Sequence, residues 1–155
     1  MGRSRNIIDS MIESLAFFLG DPLLLFERYR QAPNEIEARQ DIKKGRIALY
    51  ELDERVTTQT DAYRPNLSNQ RYGIDINVPR GYAKSDASRG ELPLLDIRDK
   101  VLDWSKQVDA GTVTNVGIFT FGYESSGGIT RGTKYVSMTL IFQTIRDLAP
   151  SQTNI

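Results

Sequence analysis

The sequence predicts an α+β domain, a mostly antiparallel sheet of four to five strands with helices packed on one face and a C-terminal β-hairpin. Three observations point there. Near the end of the chain Val136, Met138, Leu140 and Phe142 alternate with Tyr135, Ser137, Thr139, Ile141 and Gln143, a period of two that marks a strand with one apolar face. RYGIDINVP (71–79) alternates just as cleanly, with Tyr72, Ile74, Ile76 and Val78 on one side and Arg71, Asp75 and Asn77 on the other. Two segments repeat apolar residues at helical spacing and stand apart from the strands, which is the layered pattern of a sheet covered by helices.

The first helix is expected over 6–19. Ile8, Met11, Ile12, Leu15, Phe18 and Leu19 share one face, Ser4 or Asn6 supplies the N-cap, and Gly20 stands just past the end. Asp21-Pro22 then reads as a cap and first turn, so a second short helix to about residue 31 is preferred over a strand. Pro33-Asn34 resets the chain, and Glu35 to Lys44 reads as a charged helical turn or two ended by Gly45, making 21–45 a helical insert. RIALYEL (46–52) is a strand. The polar stretch Asp53 to Gln70 is a long loop or β-arm, with Val56, Thr57 and Thr58 able to extend it as a ribbon. A Gly-, Ser- and Lys/Arg-containing loop fills 80–92. A helix from about Pro93 to Val108 buries Leu94, Ile97, Val101, Leu102 and Trp104. Gly117, Phe119, Phe121 and Tyr123, alternating with Val116, Ile118 and Thr120, form the partner of the last strand, and Ser125 to Gly132 is the flexible loop between them.

With 155 residues the chain suits a single domain spanning 1–155. It has no cysteine and no histidine, which removes disulfides, thiolate chemistry, the commonest general base and the commonest transition-metal ligand. Twenty basic and twenty acidic side chains cancel, so no whole-molecule basic field attracts nucleic acid, and one barrier to self-association is lifted. Two arginines precede apolar residues at the N-terminus, but Asp9 and Glu13 interrupt that stretch and no small-residue cleavage site follows, so it reads as a helix of the mature, cytoplasmically made protein.

The candidate chemistry is thin. SSGGITRG (125–132) lacks the P-loop spacing and is followed by a strand, so it reads as a hairpin tip. Glu51, Asp53, Glu54, Asp75, Glu91, Asp96 and Asp99, with Lys43 or Lys100 assisting, are the acids a two-metal nuclease would draw on, and Asp75 near Glu51 is the one pair whose placement suits it. Arg71, Arg80, Lys84 and Arg89 with Tyr72 and Tyr82 make a modest basic and aromatic cluster, offset by Asp86 and Glu91, and a solvated loop is the better reading. Trp104 is read as core. No catalytic, cofactor-binding or metal-binding residue is assigned.

The order of these elements resembles the tail-terminator family of long-tailed phages, also called tail-completion or minor tail proteins. The resemblance rests on the N-terminal helix, RIALYEL leading into a long loop or ribbon, RYGIDINV, the helix LPLLDIRDKVLDW, and the closing pair VGIFTFGYES and KYVSMTLIFQTIR, over roughly residues 6–20 and 46–146. Residues 21–45 depart from it, being longer than the expected link. The resemblance implies a structural virion protein without catalysis or cofactor, assembled in the host cytoplasm. It would form a homo-oligomeric ring, usually a hexamer, on the head-proximal end of the tail tube. There it stops tube polymerisation and joins tail to head, with the tail tube protein and a head-completion or neck protein as partners and no role for membranes or sequence-specific nucleic acid. Ring contacts would be heterologous. On this reading Arg55, Val56, Thr57 and Thr58 are expected at a subunit or tube contact, with Ile129 and Arg131 at the hairpin tip second. Another neck or head-closure connector is the alternative within the same machine, and an acidic-site, metal-dependent nuclease is the alternative of a different class.

Overall fold

The computed structural model describes residues 3–30, 35–36, 43–57, 67–109 and 120–147. In chain order the elements are α1 (Arg3–Leu19), β1 (Leu24–Glu27), β2 (Gly45–Thr57), β3 (Leu67–Pro79), α2 (Glu91–Asp109), β4 (Thr120–Ser126), β5 (Thr130–Arg131) and β6 (Tyr135–Asp147). They form the expected α+β architecture, with one sheet of six strands in the order β1-β2-β3-β6-β4 and the short β5 also paired to β6. Every pairing is antiparallel except β1 with β2.

The two alternating segments identified in the sequence lie side by side at the centre. Tyr72 faces Phe142, Ile74 faces Leu140, Ile76 faces Met138 and Val78 faces Val136 in an unbroken register. Because successive strand residues point to opposite faces, this pairing collects these eight apolar side chains on one side, while Tyr135 and Ile141 fall on the other. Ile47 and Leu49 of β2 extend that face, and α1 and α2 close over it with Ile8, Met11, Leu15, Leu94, Ile97, Val101, Trp104 and Val108. Trp104 is core, as read from its spacing. Its ring meets Phe121 edge-on at 5.6 Å, Phe121 stacks on Phe142 at 5.0 Å, and its indole N–H donates to Ser14 Oγ at 3.0 Å. That bond satisfies the one polar atom the ring carries inward.

Three expectations are corrected. Residues 24–27 are a strand and not a helix: Asp21-Pro22 opens a single turn, closed by the Leu24 N–H on the Asp21 carbonyl at 3.1 Å. Leu24 and Phe26 then face the core beside Gly45 and Ile47. Parallel pairing with β2 was available to this apolar run, and tertiary pairing outweighs so short a local preference. The sheet accordingly has six strands, above the four to five expected.

The polar stretch 53–70 takes the β-arm form at its two ends. After an irregularity between Glu51 and Glu54, β2 and β3 stay paired as far as Thr57 with Leu67. Lastly, Ser125 to Gly132 is not an open loop. Gly127 N–H donates to the Thr139 carbonyl at 3.1 Å, and Thr130 and Arg131 pair with Ser137 and Val136. The reversal itself is only Gly132 to Tyr135, closed by a 2.9 Å backbone bond. Within the insert Glu35 and Ile36 are helical as expected, whereas its residues 31–34 and 37–42 lie outside the described set, as do 58–66 and the start of the expected strand at 116–119.

Salt bridges fasten the hairpin end of the sheet to the start of α2. Arg131 binds Glu91 through two bonds of 2.9 Å, and Arg80 lies 3.8 Å from the same carboxylate while donating to the Gly132 and Arg89 carbonyls. Asp86 accepts from the Ser88 and Gly90 N–H groups, and Ser88 Oγ accepts from the Leu92 N–H, ordering the turn that launches α2. Gly90 is needed there. Its φ is +96°, and a Cβ would stand 3.1 Å from the Pro79 carbonyl oxygen.

Two outcomes are expected. Phe142 is wholly buried, so Phe142→Ala should lower stability by about 3–5 kcal/mol in urea unfolding, and an unchanged midpoint would mean the inward face is wrongly assigned. Glu91 is held below its usual 4.5, first by the Arg131 hydrogen bond and then by the charges of Arg131 and Arg80. A depressed carboxyl stabilises the fold above its unfolded value and loses that contribution as pH falls through the folded one. The melting-temperature gap between wild type and Arg131→Gln should therefore be constant above pH 4.5 and close below it. A gap that persists through acid would show that Arg131 acts by packing alone.

Candidate functional site

The register that fills one face with apolar groups gathers polar ones on the other. Arg46, Asn77, Ser137 and Thr130 follow one another across β2, β3, β6 and β5, and in the next row Ala48, Asp75 and Thr139 do the same. Asp75 sits in the middle of the sheet and is 7% exposed. Its Oδ1 accepts from Tyr50 Oη and from Thr139 Oγ1, each at 2.7 Å. Its Oδ2 has Arg30 Nε at 3.4 Å. Burial, then the hydrogen bond to Asp75, raises the Tyr50 phenol well above its ordinary value, so it remains a donor throughout the physiological range.

Gly73 makes this arrangement possible. The Tyr50 ring lies across it, and a Cβ on residue 73 would fall 2.5 Å from ring carbons. The connection from β1 to β2 lies over part of this face: Arg30 sits 6.0 Å from the Tyr50 ring centroid, and Ile36 is 4% exposed. Together Arg30, Ile36, Asp75, Asn77, Ser137, Thr139, Thr130 and Tyr135 line a cavity of about 100 Å³. At the sheet edge on this face, Arg46 is buried and paired with Glu27 of β1.

The acids singled out in the sequence do not converge. Glu51 pairs with Tyr72 and so shares the core-face side of the sheet, whereas Asp75 pairs with Ala48 and points the other way. The Asp75–Glu51 pair is therefore not formed, which corrects that expectation. Asp53 is bound to Arg71 at 2.9 Å, Glu91 to Arg131, and Asp96 and Asp99 are exposed on α2. Lys43 and Lys100 are exposed and Glu54 lies on the β2 extension. Among the described residues no three His, Cys, Asp or Glu side chains are grouped to hold a metal ion, and no helix is long and apolar enough to cross a membrane.

The basic cluster is dispersed as well. Arg71 bridges Asp53 and Glu124, Arg80 is bound to the α2 turn, Tyr72 is buried, and Tyr82 donates to Asp21, while Lys84 and Arg89 are exposed. Of the expected contact residues, Arg55, Val56 and Thr57 pair with Asn69, Ser68 and Leu67 at the far end of the β2–β3 ladder, and Thr58 lies outside the described residues. Ile129 packs partly against the core and Arg131 is bound to Glu91, so both are engaged within the subunit.

The Asp75 cavity was not anticipated as a site. The sequence placed Asp75 on the polar side of its strand, but nothing in it showed that residues after β1 lie over that side, or that Tyr50 and Thr139 meet there. No family model and no curated protein matches the sequence.

The Gly73 contact carries a test. Gly73→Ala should lower stability by about 1–3 kcal/mol through overpacking against Tyr50. In a Tyr50→Ala background most of that loss should vanish, as measured by a double-mutant cycle in urea. An additive pair would mean that the ring does not lie on Gly73.

Proposed function

We propose that this chain is a structural assembly protein, a tail terminator that forms a ring on the head-proximal end of a phage tail tube, stops tube growth and joins tail to head. The observation that carries the reading is the extension of the β2–β3 ladder. Glu51, Leu52 and Glu54 of β2 are exposed, and the strand continues paired with β3 through Arg55, Val56 and Thr57. A ladder that continues by backbone pairing beyond Leu52 offers strand for a neighbouring subunit to pack against. Held by backbone hydrogen bonds, such an arm keeps its contact residues in a fixed geometry, which a rim contact in a ring requires. The element order around it, helix, strand and ribbon, strand, helix, closing hairpin, is the order of the family the sequence resembles. A neutral chain is also free of the self-repulsion that opposes packing many copies together.

The test is the native mass of the purified protein, alone and with tail tubes. The expected result is a closed ring several times the 17.5 kDa chain, or a monomer that forms one on tube ends. Arg55→Glu should leave the melting temperature nearly unchanged and should impair ring formation or head–tail joining. A protein that stays monomeric with and without tubes, and whose absence leaves tail length unchanged, would overturn the proposal.

A further inference from the structure

We infer that the cavity over Asp75 is a binding site for an organic cation, a guanidinium or alkylammonium group. The inference does not depend on the tail-terminator reading. Its lining is rich in oxygen: the Asp75 carboxylate, the Asn77 amide and the hydroxyls of Thr130, Ser137 and Thr139. The carboxylate is divided in its duties. Oδ1 is saturated by two 2.7 Å hydrogen bonds, whereas among the described residues Oδ2 has the Arg30 Nε at 3.4 Å, beyond the 2.7–2.9 Å of a charge-assisted hydrogen bond. A carboxylate this deeply buried gains strongly from a cation that reaches it directly.

Arg30 is a loose occupant. Its side chain is 64% exposed while that of Asp75 is 11% exposed, so the guanidinium stands at the mouth of the cavity rather than inside it. An incoming cation displaces it outward, where water solvates it. Among the described residues, Arg46 is committed to Glu27 and Arg131 to Glu91.

Size and donor set select the ligand class. A volume of about 100 Å³ accepts a guanidinium or a short alkylammonium head. It is well under the roughly 300–1,000 Å³ of pockets that hold nucleotide- or drug-sized ligands. The lining has no nitrogen or sulfur ligand for a transition metal. With one carboxylate it also falls short of the usual calcium site, which uses about 6–8 oxygens with several charged. The remaining acceptors suit N–H donors that radiate from one planar or tetrahedral head. They are carried by three neighbouring strands in fixed register, so the site is formed before the ligand arrives.

The experiment is a ¹H–¹⁵N correlation titration of the full chain at constant ionic strength with methylguanidinium, butylammonium, the tripeptide Gly-Arg-Gly and, separately, Ca²⁺. Saturable shifts are expected for Gly73 to Asn77 and Ser137 to Thr139 with the organic cations. Asp75→Asn should abolish them. Because that variant touches a buried network, Arg30→Ala serves as the second: the residue is exposed, so the fold should hold and affinity should rise severalfold as the competing cation is removed. Tripeptide binding about tenfold tighter than methylguanidinium would identify the occupant as a basic side chain of a partner protein, and equal affinities would identify a free small cation. The inference is overturned if neither wild type nor Arg30→Ala shows saturable shifts, or if only Ca²⁺ produces them.

Discussion

The antiparallel pairing of β3 with β6 runs through thirteen residues of each strand without a register shift, and every other feature of the molecule depends on it. A slip of β3 by one residue would turn Ile74 and Ile76 outward and drive Asp75 and Asn77 under the helices. Burying that carboxylate without its hydroxyl partners would cost several kcal/mol per charge, so the polar face specifies the register as firmly as the apolar one does. The aromatic stack from Phe142 through Phe121 to Trp104 then fixes α2, and the Trp104–Ser14 bond links α2 to α1. Packing thus spreads outward from the central pair.

The parts of this fold that were legible in the sequence are those where one local pattern has one solution. Alternation over 71–79 and 135–143 left no competing reading, and the apolar spacing of 6–19 and 93–108 could only be helical. Four apolar residues after Asp21-Pro22 were ambiguous because a run so short satisfies a strand and a helical turn equally. What decided it was β2, distant in sequence and parallel to it. The glycines of 125–132 were misread for a related reason. Glycine permits a loop but does not require one, and here Gly127 stays hydrogen-bonded to Thr139 and the chain pairs with β6 again at Thr130.

The cavity over Asp75 lay beyond sequence reasoning altogether. It is built from β3, β5, β6 and from Arg30 and Ile36 after β1, and its strand residues are ordinary ones: one aspartate, one asparagine, two threonines, a serine and a tyrosine. None belongs to a motif. The single hint was Gly73, a glycine inside an otherwise strong strand, which marks a place where something approaches the backbone closely. That something is Tyr50, the donor that orients Asp75. The expected contact residues were legible only in part. Composition singled out 55–58 as β-capable, and their backbone pairing as far as Thr57 places them on a hydrogen-bonded arm rather than a loop.

On this account the face packed by α1 and α2 serves stability, while the far end of the β2–β3 ladder serves assembly. Hydrogen–deuterium exchange on the separated subunit and on protein assembled at tail ends tests that division most directly. The account predicts that amides of Glu54 to Thr57 and Leu67 to Gln70 gain protection on assembly, while those at the centre of β3 and β6, already slow, change little. New protection confined to α1 and α2, with the ladder unchanged, would contradict it.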